Sequence, residues 1–237
     1  MSSGPAAPVF HQHRYAHELD RLVPRGGAWL DIGAGHKIHG GWKGPSSEEL
    51  AGRAGYLAGC DIGEDVLKHP HLHDRRVADA AHLPWADATF DLVSANMVVE
   101  HLSDPEAVFR EVRRVLKPGG AFVFVTPNRN HPIIRTAAFL VPPALRRLYG
   151  IVFERRAAED VFITEYRCNT VEEIARLSRA TGLVPELIEA FVSEFPILPG
   201  PLGRIEARLG RVAARSVSGQ RFGADILAVL RRPPVPA

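Results

Sequence analysis

The chain has 237 residues, of which 46% are hydrophobic, and a net charge of +2. This length and apolar content suit one α/β domain with a single core. There is no run of about 18 apolar residues, and the first ten residues lack the charged and apolar regions of a secretory signal. We therefore expect a cytoplasmic protein without membrane insertion. The small net charge does not call for a nucleic-acid partner.

Short apolar segments recur through the first 127 residues, each bounded by Gly, Pro, Asp or Asn. They read "GAWLDIG", "YLAGCDIG", "RRVADA", "FDLVSANM" and "GAFVFVTPN". Strands separated by helix-length segments predict a parallel sheet covered on both faces. The clearest helix lies in "SDPEAVFREVRRVLKPGG", where Asp104 can cap the first turn and Pro105 suits the first helical position.

The second part of the chain begins with an excursion that is too long for an ordinary connection. Residues 128–168 have apolar helical spacing interrupted by prolines, which predicts a helical lid or substrate insertion. A helix capped by Thr170 and a strand, helix and strand follow. We predict one domain, 1–237, with an N-terminal helical segment (1–27), a cofactor-binding core (28–127), the insertion (128–168) and the C-terminal part of the sheet (169–237).

The stretch "AWLDIGAGHKIHGGW" has the form of a strand followed by a glycine-containing ligand loop. Asp31, Gly33 and Gly35 lie at the turn, where glycine lets the backbone approach a ligand. A dinucleotide site requires a third glycine at the GxGxxG spacing, and Ile38 occupies that position. A nicotinamide-dependent oxidoreductase is therefore disfavoured, while a simple tight turn remains an alternative at this stage.

Polar residues also follow the later strands. Asp61 ends "AGCDIG", Asp79 ends the third predicted strand and Asn96 ends the fourth. Because ligands bind at the carboxyl edge of parallel sheets, this succession favours a ligand site over independent turn residues. The Asp61 carboxylate can accept hydrogen bonds from both hydroxyls of a ribose.

The ordered blocks "LDIGAG", "CDIG", "DAAHLPWADATFDLV" and "VVEHLSDPEAVFREVRRVLKPGGAFVFVTPN" resemble the class I methyltransferases that depend on S-adenosylmethionine. The resemblance covers residues 28–128. It implies a Rossmann-like, doubly wound seven-stranded sheet of order 3-2-1-4-5-7-6 with an antiparallel last strand. The chain departs from the family pattern at Lys37, where a third glycine is usual.

This resemblance also implies a binding site for S-adenosylmethionine, with S-adenosylhomocysteine as the product. Asp61 would hold the ribose, Asp79 the adenine amine and the backbone of Ala80 a ring nitrogen. The loop 31–35 would hold the methionine portion, with Asn96 opposite. The full set of expected cofactor-binding residues is Asp31, Gly33, Ala34, Gly35, Asp61, Ile62, Asp79, Ala80 and Asn96.

His101, just past the fourth strand, is the best-placed general base, since an imidazole can take a proton near pH 7. A packing or capping role for His101 is the alternative. His131, Glu165 and Tyr166 flank the insertion and are candidates for substrate contact, or else surface residues.

No metal site is expected. His69, His71 and His73 alternate in "KHPHLHD", a pattern that we interpret as a solvated loop. We expect His36 to His39 to shape a loop at the methionine end of the cofactor site rather than to bind metal.

The function expected from these residues is methyl transfer to a small molecule. O-methylation of an apolar or aromatic metabolite is the first choice, because the insertion is rich in apolar residues. N- or C-methylation, a nucleic-acid methyltransferase and a non-catalytic cofactor-binding protein remain alternatives. The expected partner is a small-molecule substrate, and a monomer and a homodimer are both open.

Overall fold

A computed structural model describes residues 11–38, 45–132, 135, 164–191, 200–213 and 223–235. The seven strands are β1 (Ala28–Ile32), β2 (Tyr56–Asp61), β3 (Asp74–Val77), β4 (Phe90–Asn96), β5 (Leu116–Pro127), β6 (Val184–Phe191) and β7 (Asp225–Arg231). The α-helices are α1 (His11–Leu22), α2 (Ser47–Arg53), α3 (Pro105–Val115), α4 (Val171–Ala180) and α5 (Gly200–Ala213). Two short 3-10 helices cover Glu64–Lys68 and Val99–His101.

The strands form one sheet of order β3-β2-β1-β4-β5-β7-β6. All pairs are parallel except those that β7 makes with β5 and β6. The expected fold class is therefore confirmed, including the antiparallel strand beside the fifth. The prediction that Asp79 ends the third strand is wrong, because β3 ends at Val77 and Asp79 lies two residues beyond it.

Both faces of the sheet are covered, which explains why most strands are continuous apolar runs. Helices α1 and α2 pack on one face, around the buried Trp29 and Leu92. Helices α3 and α4 pack on the other face, around Phe109 and Phe124. Alternate residues of β1 therefore point to different helical layers, and Asp31 lies on the face that α1 covers.

The predicted helix starts are confirmed. The Asp104 side chain accepts a hydrogen bond from the Ala107 amide, with Pro105 in the first turn. Thr170 caps α4 by accepting from the Glu173 amide. The Glu173 carboxylate accepts from the amide of Asn169, one residue before the cap. These caps fix where the two helices of this layer begin.

Helix α1 packs on the sheet through buried side chains and forms ion pairs with β6 at the edge of the sheet. Tyr15 and Leu19 are fully buried against the strands. Arg14 makes two hydrogen bonds with the Glu189 carboxylate of β6, at 3.2 and 2.6 Å. Arg21 pairs with Glu186 at 2.7 Å. The helix thereby covers the face of the sheet that carries Asp31.

Parts of two predicted segments lie outside the described residues. These are the insertion, of which 133–134 and 136–163 are not described, and the first ten residues of the N-terminal segment. No helix in the described part of the chain has both the length and the apolar character needed to cross a membrane.

Candidate cofactor and acceptor site

The loop after β1 is folded tightly onto the end of β2. The amides of Gly33 and Ala34 both donate to the carbonyl of Cys60, at 2.8 and 3.1 Å. Gly33 has a φ of 67°, and a Cβ there would lie 2.3 Å from Val98 Cγ2. Gly33 is therefore required both by its backbone conformation and by the lack of space beside Val98.

Asp61 joins this loop to the next one. Its Oδ2 accepts from the Gly35 amide at 3.0 Å, and its Oδ1 accepts from the Gly63 amide at 2.9 Å. Each carboxylate oxygen has a second lone pair, so the fixed and half-buried carboxylate can still accept from a diol. Ile62 next to it leaves 62% of its surface exposed. A carboxylate beside an exposed apolar side chain fits the ribose and base of an adenosine group.

Asp31 is almost fully buried at the end of β1. Ser94, its register partner on β4, donates to Asp31 Oδ1 at 2.5 Å and accepts from Trp29 Nε1 at 2.7 Å. Burial raises the pKa of Asp31 to about 8. The Ser94 hydrogen bond lowers this pKa, and the negative charge of Asp61 raises it. A cationic group placed here would restore the charge of Asp31, as the ammonium group of the methionine portion would.

The other expected cofactor residues lie at the same edge of the sheet. Ala34 and Ala80 are buried, and Asn96 is the half-buried last residue of β4. The Asp79 carboxylate is exposed, and its Oδ1 accepts from the Ala81 amide at 2.9 Å. Asp79 is therefore available to a ligand at the rim, whereas Asp31 lies deep in the site.

Residues 33–38, which include and follow the glycines, are in turns, bends and irregular structure and not in a helix. The next helix that the structure describes, α2, begins at Ser47. A dinucleotide pyrophosphate is bound at a helix N-terminus immediately after the glycines. The geometry of the described loop therefore agrees with the sequence in disfavouring a nicotinamide site.

Comparison with known proteins identifies a domain within the chain. Residues 30–124 match the profile described as "Methyltransferase domain". The chain carries a class I S-adenosylmethionine-dependent methyltransferase domain. The predicted resemblance is confirmed, and S-adenosylmethionine is the cofactor of this family.

One relative illustrates the similarity of the chain to known methyltransferases. A ubiquinone biosynthesis O-methyltransferase of Hydrogenovibrio crunogenus is 28% identical over 163 residues, which is 65% of this chain and 61% of that protein. The chain thus spans less than two thirds of that relative.

Two solved structures share the fold. An S-adenosylmethionine-dependent methyltransferase of Mesorhizobium loti has a TM-score of 0.57 and 20% identity, covering 91% of this chain and 96% of that one. The geranyl diphosphate C-methyltransferase of Streptomyces coelicolor A3(2), solved with S-adenosylhomocysteine, has a TM-score of 0.52 and 19% identity, covering 93% and 78%. At these identities, the likeness concerns the fold alone.

His101 of the methyltransferase domain lies beside a buried carboxyl group that sequence reasoning missed. The His101 Nε2 atom is 3.9 Å from Glu100 Oε1, and the imidazole is partly exposed. Glu100 Oε2 accepts from Thr126 Oγ1 at 2.9 Å, and Asn169 Nδ2 donates to the same hydroxyl at 2.7 Å. The His101 imidazole is therefore next to a fixed, buried carboxyl group on one side and is partly exposed to solvent on the other.

The structure brings two of the three predicted substrate residues to this point. The amides of Glu165 and Tyr166 both donate to the Glu100 carbonyl, at 2.8 and 3.1 Å. His131 lies farther along the edge, after β5, and burial lowers its pKa, while Glu206 of α5 raises it. The backbone of Glu165 and Tyr166 therefore contacts the Glu100–His101 pair, although the two segments are 65 residues apart in the sequence.

One further carboxyl group at this edge was missed by sequence reasoning. Asp225 begins β7, opposite Pro127 of β5 and Phe191 of β6. Burial raises its pKa to about 7. Because β7 runs antiparallel, its first residue meets the carboxyl ends of the other strands. Asp225 could have been predicted to lie at this edge, because "GADIL" places it at the start of the final predicted strand.

The three histidines between β2 and β3 differ in their surroundings. His69 is fully buried, and burial lowers its pKa to about 4. Its Nδ1 accepts from the His71 amide, while His73 Nδ1 accepts from the Leu57 amide. The expected solvated loop is therefore wrong for His69. No cluster of three metal-ligating side chains occurs within the described ranges. His36 is exposed, Ile38 is buried and His39 lies outside those ranges.

The steric requirement at Gly33 can be tested with a matched glycine. Gly26 has a similar φ of 72°, but an added Cβ would meet nothing within 4 Å. Gly26→Ala should lower the free energy of unfolding by about 1–2 kcal/mol because of its left-handed backbone. Gly33→Ala should cost roughly 1–3 kcal/mol more, because of overpacking against Val98. Urea unfolding measures both, and Val98→Ala should partly rescue Gly33→Ala. Equal losses for the two glycines would contradict the packing argument.

Proposed function

We propose that this protein transfers the methyl group of S-adenosylmethionine to a hydroxyl oxygen of a small apolar or aromatic acceptor. The observation that carries the cofactor half of the proposal is the pair of carboxyl groups at the ends of β1 and β2. Asp31 is buried, Asp61 is fixed by two amides, and the glycine loop lies between them. An acidic pocket of this kind suits a ligand that carries an ammonium and a sulfonium charge.

The bound cofactor supplies a methyl group on a positively charged sulfur, which is already a good electrophile. The protein's task is to align the acceptor and exclude water. Asp61 would hold the ribose hydroxyls, Ile62 and Ala80 would contact the adenine, and Asp31 would face the ammonium group. Asn96 would border the methyl group from the β4 side.

The acceptor half of the proposal rests on His101. An alcohol or phenol must lose its proton as its oxygen attacks the methyl carbon and the bond from carbon to sulfur breaks. A ring nitrogen of His101 would take that proton, and the neighbouring Glu100 carboxyl group would stabilise the resulting imidazolium. The similarity to ubiquinone biosynthesis O-methyltransferases supports an oxygen atom as the methyl acceptor.

Cofactor binding provides the first test. S-adenosylhomocysteine should raise the melting temperature of the protein, because a ligand that binds only the folded state stabilises it, and NAD should not. Asp61→Ala should weaken the binding of S-adenosylhomocysteine at least about tenfold, because it removes charged acceptors for two hydroxyls. Asp65→Ala is the matched control, since Asp65 is exposed and paired with Lys68. If S-adenosylhomocysteine fails to bind, or Asp65→Ala weakens binding as much as Asp61→Ala, the assignment is wrong.

The base is tested by turnover on a phenol identified with methyl-labelled cofactor. His101→Ala should lower kcat about 10² to 10⁴-fold at pH 7, with unchanged affinity for S-adenosylhomocysteine. The loss should shrink with phenols of lower pKa, because these ionise without help. His73→Ala, which alters an exposed histidine directly before β3, at the amino edge of the sheet, should leave kcat unchanged. Unaltered kcat in His101→Ala would exclude His101 as the base.

A further inference from the structure

A buried polar cluster lies beneath α1 and extends the site beyond the residues that the sequence pointed to. Tyr15, Trp29, Asp31 and Ser94 are each 2% exposed or less. They come from α1, β1 and β4, and all four lie on the face of the sheet that α1 covers. Burying four polar side chains together is costly unless their hydrogen bonds are satisfied.

Three of the four residues form a directed chain of hydrogen bonds. Trp29 Nε1 donates to Ser94 Oγ at 2.7 Å, and Ser94 Oγ donates to Asp31 Oδ1 at 2.5 Å. Because an indole nitrogen can only donate, the Ser94 oxygen accepts from it, and the Ser94 proton is left to donate to Asp31 rather than to the Leu30 carbonyl, which lies farther away at 3.5 Å. The chain therefore holds one oxygen of Asp31 in a fixed direction.

Tyr15 is the fourth member, and its hydroxyl has no hydrogen-bond partner despite complete burial. Burial and the nearby Asp31 raise the pKa of this phenol well above its ordinary value, whereas Ser94 lowers it. A phenol that stays protonated is a donor without an acceptor. An ionised Asp31 carboxylate would attract this hydroxyl more strongly than the neutral acid does, because a charged acceptor makes the stronger hydrogen bond.

Burial and the charge of Asp61 disfavour the ionised form of Asp31, and only the Ser94 hydrogen bond favours it. Asp61 acts on it from β2 through its negative charge, Tyr15 lies near it on α1, and Ser94 hydrogen-bonds to it from β4, while the Cys60 thiol of β2 points to the other face of the sheet. Burial raises the pKa of Cys60 to about 12 and that of Asp31 to about 8. Burial and the neighbouring Asp61 charge therefore favour the protonated form of Asp31 at neutral pH.

We propose that Tyr15, Ser94 and Trp29 are positioning residues that hold Asp31 for the ammonium group of the cofactor, so that cofactor binding expels one proton to solvent. The inference rests on the proposed function. In the balanced step, the carboxylic acid and the ammonium ligand give a carboxylate–ammonium pair and one free proton. Affinity for the cofactor should then rise tenfold per pH unit below about pH 8, because the released proton is a product of binding.

The direct test is calorimetric titration of the full chain with S-adenosylhomocysteine at pH 6.5. The titration is performed in buffers of different ionisation enthalpy, so that the number of released protons is measured. Wild type should release close to one proton, because both Asp31 and the ligand amine are protonated at this pH. Asp31→Asn should bind more weakly and release close to none.

Positioning is tested with two conservative variants. Tyr15→Phe should weaken S-adenosylhomocysteine binding at least about threefold without lowering the melting temperature, since it removes a hydroxyl that has no partner before binding. Tyr56→Phe is the matched control, because its hydroxyl donates to Asp74 outside this cluster, and affinity should not change. Ser94→Ala should move the pH at which affinity levels off upward, because the Ser94 hydrogen bond lowers the Asp31 pKa.

The outcomes separate this inference from the proposed function. Binding of S-adenosylhomocysteine without proton release, or equal proton release by wild type and Asp31→Asn, would overturn the inference and leave the proposed function standing. Unchanged affinity in Tyr15→Phe would remove Tyr15 from the positioning set. A failure of S-adenosylhomocysteine to bind at any pH would overturn both.

Discussion

The site depends on the position of β1 between β2 and β4. Parallel pairing on both sides brings the carboxyl ends of three strands to one edge of the sheet. Asp31 pairs with Ser94 of β4 and with Gly59 of β2. The next residue of β2, Cys60, provides the carbonyl that closes the loop. That carbonyl accepts two amides, which turns the chain so that Gly35 reaches Asp61. A change in register of one residue would turn Asp31 to the opposite face and separate it from Ser94.

Two buried carboxyl groups, those of Asp31 and Asp225, reduce the free energy of unfolding when they must ionise. The pKa of Asp31 is about 8 in the folded chain, against an ordinary value near 4 when unfolded. Because the pKa is raised, the folded state binds more protons than the unfolded state between these values, so the contribution of Asp31 to stability falls as pH rises across this window. Asp225, raised to about 7, acts in the same direction up to its own pKa. The apolar layers on both faces of the sheet offset these losses.

Much of the fold could be predicted because its signals are local or ordered along the chain. The caps Asp104 and Thr170 and the strand-length apolar runs each lie within a few residues, and the family pattern supplied the strand order. Asp31, Asp61 and Asn96 could be named because strand ends share an edge.

The partners of these residues could not be predicted, because they depend on register and packing between distant segments. The hydrogen bond from Ser94 to Asp31 spans 63 positions, and that from Asn169 to Thr126 spans 43. The burial of His69 likewise depends on how its loop folds back on the sheet, which alternation of histidines does not indicate.

The central claim is that the cofactor binds at the carboxyl edge, over the glycine loop. Amide chemical shifts of the protein titrated with S-adenosylhomocysteine test it most directly. The account predicts large shifts for Gly33, Gly35 and Gly63, and none for Gly119 and Gly120 at the amino end of β5. Shifts confined to Gly119 and Gly120, or an unchanged glycine loop at saturating ligand, would contradict it.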